Sequence, residues 1–401
     1  MPILFVTVLI DLIGFGIIIP ILPFMAPPLG ASDFDIALII AIYSVFNGLA
    51  APFWGRLSDR IGRKPVLLIC LVGAAASYVL LAFAHTLVML YVSRALAGAM
   101  AGNFGVASAM IADITRPENR AKAMGMIGAA FGLGMVIGPF LGGVLSAGDG
   151  DFMRPAMVAA AMSTCALIAG WIWLPESHSS ETRARHRQAA GQVKAASTWR
   201  MLRESGNTLL AGQYFLANSC HTSVSYLFPL WVGASLGWGA REVGVVFGVQ
   251  GVAMVLLQAG LIGRFVRAVG ELKLLLFGSS LMTMGFIIAG FAHSAPAILV
   301  GFFAAITGGT VCTPVLNALV ANRTPAALRG RMLGTTSSSS AYGRVCGPML
   351  AGTILSLAGF QPAWFVASTL AVLIALWALS QLRIPTRPLA AGVAGVSGDP
   401  S

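Results

Sequence analysis

The chain has little charge and lacks the residue sets that most enzymes use. Only 10% of its 401 residues are charged, whereas soluble domains keep about a quarter of their residues charged. It has no glycine-rich nucleotide-binding loop with a lysine, no histidines at metal-ligand spacing and no Ser, His and Asp set. These absences argue against a soluble enzyme, and we expect neither a metal nor a bound cofactor. A sensor would add a soluble signalling domain, and the longest polar stretch is too short for one.

Long apolar runs fill almost the whole sequence. Apolar residues make up 57% of the chain, and a run of about 20 residues crosses the ~30 Å of hydrocarbon in a bilayer. The sequence therefore predicts an all-α integral membrane protein with twelve transmembrane helices. The predicted spans are 2–25, 36–54, 66–85, 87–112, 122–146, 154–174, 209–233, 242–262, 274–292, 296–321, 332–358 and 362–382.

The net charge of +11 follows the predicted topology and does not indicate nucleic-acid binding. Most of the 25 Lys and Arg residues lie in the connections after the even-numbered spans. The positive-inside rule then predicts a multi-pass protein of the inner membrane with both termini in the cytoplasm. For most of these residues we expect no role beyond anchoring the topology.

An internal repeat divides the chain into two halves. Thr115, Arg120, Gly125, Gly134, Gly138 and Pro139 recur as Thr324, Arg329, Gly334, Gly343, Gly347 and Pro348, at a constant offset of 209 residues. Transporters built from parallel repeats bind substrate where the halves meet. We therefore predict a six-helix bundle at 1–174, a cytoplasmic linker at 175–208, a second bundle at 209–382 and a disordered tail at 383–401.

The loop after the second predicted span, residues 55–65, resembles the signature loop of the major facilitator superfamily. A charged turn that only obeys the positive-inside rule is the alternative interpretation. The resemblance implies two pseudo-symmetric bundles and a conformational latch for the outward-open state. The latch residues are Gly55, Asp59, Arg60, Gly62 and Arg63.

The fifth predicted span carries a glycine motif that resembles the one found in drug and proton antiporters of this superfamily. Its residues are Gly134, Gly138, Pro139, Gly142 and Gly143. Small residues every four positions let helices pack backbone to backbone, and proline bends the helix. A GxxxG pattern alone occurs at many transmembrane interfaces, so the added Pro-x-x-Gly-Gly carries the resemblance to exporters.

Asp11 is the only carboxylate well inside a predicted span. Ionisable groups in a membrane usually face a cavity and find a partner, and Arg94 of the helix-four motif is the expected cation. We predict that Asp11 gains and loses the coupling proton, with its proton affinity set by burial and the nearby positive charge. A fixed structural ion pair is the alternative.

Longer stretches resemble the twelve-helix drug and proton antiporters that include the tetracycline exporters. These stretches are 112–115, 132–143 and 174–178. Where those exporters carry an acid, an imidazole and an acid, this chain has Ser77, Met254 and Met282. The resemblance therefore does not extend to the tetracycline-specific polar set.

Polar residues within the predicted spans are candidates for the substrate cavity. They are Tyr43, Asn47, Asn103, Gln213, Asn218, His221, Gln250, Gln258, Asn317 and Arg344. Hydrogen bonding between helices is the alternative role for each. The Arg344 side chain either extends to the membrane–water interface or pairs with backbone carbonyls. The other alternative is that it binds an anionic group of the substrate.

Together these patterns predict a monomeric secondary transporter in the bilayer that exports a small amphipathic compound or drug by alternating access, driven by the proton gradient. The alternative is uptake of a small organic anion or nutrient by symport or facilitated diffusion.

Overall fold

The computed structural model describes residues 2–116, 119–146, 152–177, 208–324 and 329–383. All regular elements of this described part are helical. Arg383, the first residue of the predicted tail, is helical, and the rest of the tail and nearly all of the predicted linker lie outside the described residues.

The first half contains α1 to α8. They are α1 (Pro2–Ile18), α2 (Leu22–Met25), α3 (Asp33–Ile61), α4 (Arg63–Ala82), α5 (Leu87–Ala99), α6 (Asn103–Ile114), α7 (Arg120–Leu145) and α8 (Met153–Trp173). A single 3₁₀ turn, Pro27–Leu29, follows α2.

The second half contains α9 to α15. They are α9 (Thr208–Leu236), α10 (Ala240–Leu256), α11 (Ile262–Val269), α12 (Glu271–Gly290), α13 (Ala295–Arg323), α14 (Arg329–Ala358) and α15 (Phe360–Arg383). A π-helical segment, Leu257–Leu261, joins α10 to α11.

Each of the twelve predicted spans coincides with one helix or with consecutive short helices. In the described residues, 8 helices are long and apolar enough to cross a membrane, or 9 if the bent pair α1 and α2 is one span. Of the rest, α10 has only 17 residues before the π-helical segment. The other two, α9 and α14, are long enough but contain many polar residues, including His221 and Arg344.

Three predicted spans are not continuous α-helices, and in the eighth the interruption is the π-helical segment Leu257–Leu261. The first is bent by 40° between α1 and α2, where Pro20 cannot donate a backbone hydrogen bond. The fourth is broken between α5 and α6. The break is stabilised by α3, because Asn47 Nδ2 donates to Ala101 O at 3.1 Å and Trp54 Nε1 donates to Ala99 O at 2.6 Å. Side chains of a neighbouring helix thus satisfy carbonyls that the helix would otherwise satisfy itself.

Helix packing repeats between the halves. Helix α1 packs on α7 as α9 packs on α14, and α4 packs on α8 as α12 packs on α15. Between the halves, α7 packs on α10 and α14 packs on α3, which are equivalent pairs under the 209-residue offset.

The two halves touch at one end of the helices. We call the end with the basic connections after α3, α6, α11 and α13 the basic end, and the other the opposite end. At the opposite end a Cβ on Gly143 would lie 2.8 Å from Gly244 Cα, and one on Gly352 would meet Ala37. Tyr226 also donates its hydroxyl to Asp33 O at 2.6 Å.

The halves separate towards the basic end. A Cβ on Gly125 or Gly128 of α7, Gly55 of α3 or Gly334 of α14 would have no described heavy atom within 4 Å. The structure is therefore a conformation that is closed at the opposite end and open at the basic end.

Candidate functional site

Asp11 lies in α1 where this helix packs against α6 and α8. Its Oδ2 accepts from Asn103 Nδ2 at 2.8 Å, and its Oδ1 accepts from Ser163 Oγ at 3.1 Å. Asn103 is the first residue of α6, so the break in the fourth span brings its amide to the carboxyl. Both carboxyl oxygens are satisfied by neutral donors.

Arg94 does not form the predicted ion pair with Asp11. The ion pairs within 4.0 Å among the described residues join Arg63 to Asp59 and Asp113. Arg94 is 2% exposed, and its Nε and Nη2 are buried without a hydrogen-bond partner. The sequence identifies both charges but carries no information on the distance between them.

Two tyrosines lie in electrostatic reach of both groups. Tyr43 and Tyr78 each interact with Asp11 and with Arg94, and Tyr43 also interacts with Arg344 of the second half. The two charges therefore belong to one region of the first half that also contains Tyr43 and Tyr78.

A cavity between the halves begins beside Tyr43 and Arg94. It has a volume of about 110 Å³ and a mostly apolar wall, to which α1, α2, α3, α5 and α9 contribute. Six of its lining residues are Phe15, Ile19, Ile40, Tyr43, Arg94 and Thr222. Of the ten predicted cavity residues, only Tyr43 lines it.

Four of the other nine predicted cavity residues bond to neighbouring helices or to their own helix. Asn47 bonds at the break between α5 and α6, and Asn103 bonds to Asp11. Asn218 donates to Tyr214 O and to Ser340 Oγ, and Asn317 Oδ1 accepts from the Tyr214 hydroxyl at 2.7 Å. For these four side chains, the alternative role between or within helices is the observed one.

The remaining candidates are dispersed. Gln250 approaches the sulfur of Met254 in its own helix at 3.9 Å, and Gln258 is exposed in the π-helical segment. Gln213 is buried, with its Oε1 unpaired among the described residues. His221 lies beside Gly309 and interacts electrostatically with Arg344, which is half-buried in α14.

The predicted latch is a bonded cluster within the first half. Arg63 is 8% exposed and donates Nε to Asp113 at 3.1 Å, Nη1 to Ser58 at 2.6 Å and Nη2 to Asp59 at 2.7 Å. Glu176 accepts from the backbone N–H groups of Arg63 and Lys64 at 2.9 and 3.1 Å. Together these contacts tie α3, α4, α6 and the end of α8.

The two glycines of the predicted latch differ in backbone conformation and in packing. Gly62 has φ +114°, which disfavours a side chain, and a Cβ there would meet the Glu176 carboxylate. Gly55 makes no close helix approach in this conformation. Arg60 is exposed.

The glycine motif of α7 packs against two helices. A Cβ on Gly134 would lie 2.6 Å from Leu12 Cβ, one on Gly138 would lie 2.6 Å from Gly16 Cα, and one on Gly142 would meet Ile17 O. These three glycines let α7 pack closely against α1, which carries Asp11. Gly143 instead faces α10, and Pro139 contacts both Gly16 and Gly244.

Sequence reasoning missed Ser163 and Tyr78. Serine is common in apolar helices, so nothing in the sequence distinguishes Ser163, which bonds to Asp11. Tyr78 carries no motif signal, and only the fold brings it near both charges.

Comparison with known proteins identifies the family. The model of the Major Facilitator Superfamily matches residues 4–267 and 210–396. The tetracycline resistance protein, class H, of Pasteurella multocida is 30% identical over 359 residues, covering 88% of each chain. The class C protein of Escherichia coli is 30% identical over 378 residues, covering 91% of this chain and 92% of the relative.

A solved structure has the same fold. The crystal structure of the human organic anion transporter MFSD10 superposes with a TM-score of 0.70 at 24% identity, covering 94% of this chain and 98% of that one. The predicted helical membrane fold and the resemblance to tetracycline exporters are thus confirmed, and the relatives are transporters rather than enzymes. The chain belongs to the Major Facilitator Superfamily.

Proposed function

We propose that this membrane transporter is a proton-coupled antiporter that exports a small amphipathic compound from the cytoplasm by alternating access. The tetracycline resistance relatives and the Pro-x-x-Gly-Gly motif of α7 support export. In this proposal the protein acts as a monomer in the inner membrane, with the proton gradient as its energy source and its basic end in the cytoplasm.

The environment of Asp11 supports its role as the proton site. Asn103 donates its amide N–H to Asp11, while its Oδ1 is buried without a donor. A proton on the carboxyl would supply an O–H beside that unpaired oxygen and would remove a charge from an apolar span. Arg94 contributes to coupling through the shared electrostatic contacts with Tyr43 and Tyr78.

The packing of α7 gives proton binding a mechanical route to the interface between the halves. Helix α1 carries Asp11 and rests by its backbone on Gly134 and Gly138, while α7 meets α10 at Gly143. A shift of α1 on protonation would therefore move a helix that closes the opposite end. Such coupling requires an element with two arrangements that both sites bias.

Asp11→Asn tests the mechanism, because asparagine keeps the shape and cannot carry the coupling proton. We expect everted vesicles to accumulate 2-naphthoate when acidified inside, a protonophore to abolish this, and Asp11→Asn to lose it. Asp33→Asn is the matched control, since Asp33 lies in the first turn of α3 at the opposite end. Gradient-driven accumulation retained in Asp11→Asn would refute the proposal.

Uptake of a small organic anion is the second candidate function. It is favoured by the two arginines near Tyr43 and by the human relative, which is described as an organic anion transporter. The direction of flux of 2-naphthoate in proteoliposomes under an imposed pH gradient distinguishes export from uptake.

A further inference from the structure

The cavity between the halves contains a buried cation without a partner. Arg94 is 2% exposed, and two of its guanidinium nitrogens have no hydrogen bond. Among the described residues, no carboxylate lies within 4.0 Å of its guanidinium nitrogens. The Asp11 carboxyl is bonded to Asn103 and Ser163 instead. A buried charge without a partner is strongly destabilising.

Hydroxyl groups of the cavity wall do not compensate for this missing partner. Thr222 donates to Asn218 O at 2.8 Å, Ser225 donates to His221 O at 2.9 Å and Tyr226 donates to Asp33 O at 2.6 Å. A hydroxyl oxygen that donates in this way can still accept, but Nε and Nη2 of Arg94 reach no acceptor among the described residues. Arg94 lines this mostly apolar cavity, and its Nε and Nη2 are buried donors without an acceptor.

A second cation approaches from the other half. Arg344 in α14 interacts electrostatically with Tyr43, and Tyr43 also interacts with Arg94. It is half-buried and has no hydrogen bond or ion pair among the described residues. The region around Tyr43 therefore contains two arginines, from different halves, that lack acidic partners.

We propose that the substrate is an amphipathic organic anion whose carboxylate binds the guanidinium of Arg94. This inference rests on the proposed transport function and specifies its cargo. The planar guanidinium matches a carboxylate with two parallel hydrogen bonds. Phe15, Ile19 and Ile40 pack against the apolar body, and Arg344 adds positive potential from the second half.

Matched ligands test the charge preference on the purified full chain in detergent. 2-Naphthoate and 2-naphthamide share an apolar body and differ in charge. We expect 2-naphthoate to bind at least about tenfold more tightly by calorimetry, a difference of about 1.4 kcal/mol. Equal affinity for the two ligands would overturn the proposal.

Arg94 variants test the residue. Arg94→Met should weaken 2-naphthoate binding at least about tenfold and raise the melting temperature of the ligand-free protein, because it removes an unpaired buried charge. Arg94→Lys should weaken binding while keeping the preference over 2-naphthamide. The control Arg323→Met should bind 2-naphthoate normally, since Arg323 bonds to Gln381 outside the cavity.

Two results would contradict this assignment. A lower melting temperature in Arg94→Met with unchanged affinity for 2-naphthoate would make Arg94 a structural residue. Proton-driven flux of ethidium with no binding of 2-naphthoate would overturn the anion site and keep the transport function. Binding of 2-naphthoate without proton-driven flux would keep the site and overturn the transport mechanism.

Discussion

At the scale of single residues, the buried guanidinium groups of Arg63 and Arg94 differ in their hydrogen bonding. Arg63 donates to Asp113, Ser58 and Asp59. Arg94 is more deeply buried but has two nitrogens without partners. The first arrangement stabilises the fold, whereas the second is a cost that a ligand would offset.

The bonding of Arg63 predicts a loss of stability on substitution. Arg63→Met leaves Asp113 and Ser58 without this donor and should cost ~2 kcal/mol, most of it from the Asp113 bond. The Asp59 bond contributes less, because the Asp59 side chain is 55% exposed. The apparent melting temperature in detergent measures the loss.

Arg60→Met is the control for this prediction, since Arg60 is exposed in the last turn of α3, three residues before Arg63. Equal melting temperatures for the two variants would mean that the cluster contributes no stability.

The sequence identified the charged residues of the site but not their pairing. Asp11 and Arg94 are conspicuous because ionisable residues are rare in apolar spans. Their separation and the choice of Asn103 and Ser163 as partners depend on the rotation of α1, α6 and α8 about their axes. Small polar residues are frequent in such helices, so their partners cannot be read from composition.

At the scale of elements, the length and apolarity of the runs predicted where helices lie but not where they break. Hydropathy averages over many residues, whereas the break after α5 depends on Asn47 and Trp54, which lie about fifty positions away in α3. The proline-bent first span was readable only in part, from Pro20 and Pro23. Long-range backbone partners decide such breaks.

The close packing of α1 against α7 predicts that Gly138→Ala destabilises the first half. A Cβ there would lie 2.6 Å from Gly16 Cα and 2.7 Å from Ile13 O, so backbone would have to move. We expect a lower melting temperature in detergent together with loss of 2-naphthoate transport.

Gly128→Ala makes the same change where the added methyl meets no described atom. It should leave stability unchanged or slightly raised, because alanine favours helix. If both variants melted alike, the close approach of α1 and α7 would not be needed for stability.

At the scale of the whole molecule, the two halves meet through equivalent helix pairs. The contact of α7 with α10 and that of α14 with α3 are related by the repeat. Opening the opposite end therefore requires both glycine contacts to separate together. The charges are not repeated, since positions 220 and 303, at the same offset from Asp11 and Arg94, are cysteine and phenylalanine.

Gly143→Ala should shift this conformational equilibrium without unfolding either half. The new methyl group would lie 2.8 Å from Gly244 Cα and 2.9 Å from Ala240 O in the other half. The substitution therefore destabilises the conformation in which the opposite end is closed. Spin labels at exposed His85 and Ser235, introduced through cysteines in a cysteine-free background, report the separation by pulsed electron resonance.

We expect a larger population with long label distances in Gly143→Ala than in the parent, and no change in Gly128→Ala. An unaltered distance distribution together with a lower melting temperature would show that Gly143 supports the fold and not the conformational change.

The chemistry of the contacts at the two ends has a consequence for the response to ionic strength. Closure of the opposite end rests on close backbone approach at Gly143 and Gly352 and on a neutral hydroxyl from Tyr226, which dissolved salt does not screen. The cluster around Arg63 and Glu176 lies at the basic end and is made of charges. Added salt would therefore weaken contacts on one side of the membrane only, and concentration steps applied separately to the two faces would have unequal effects on turnover.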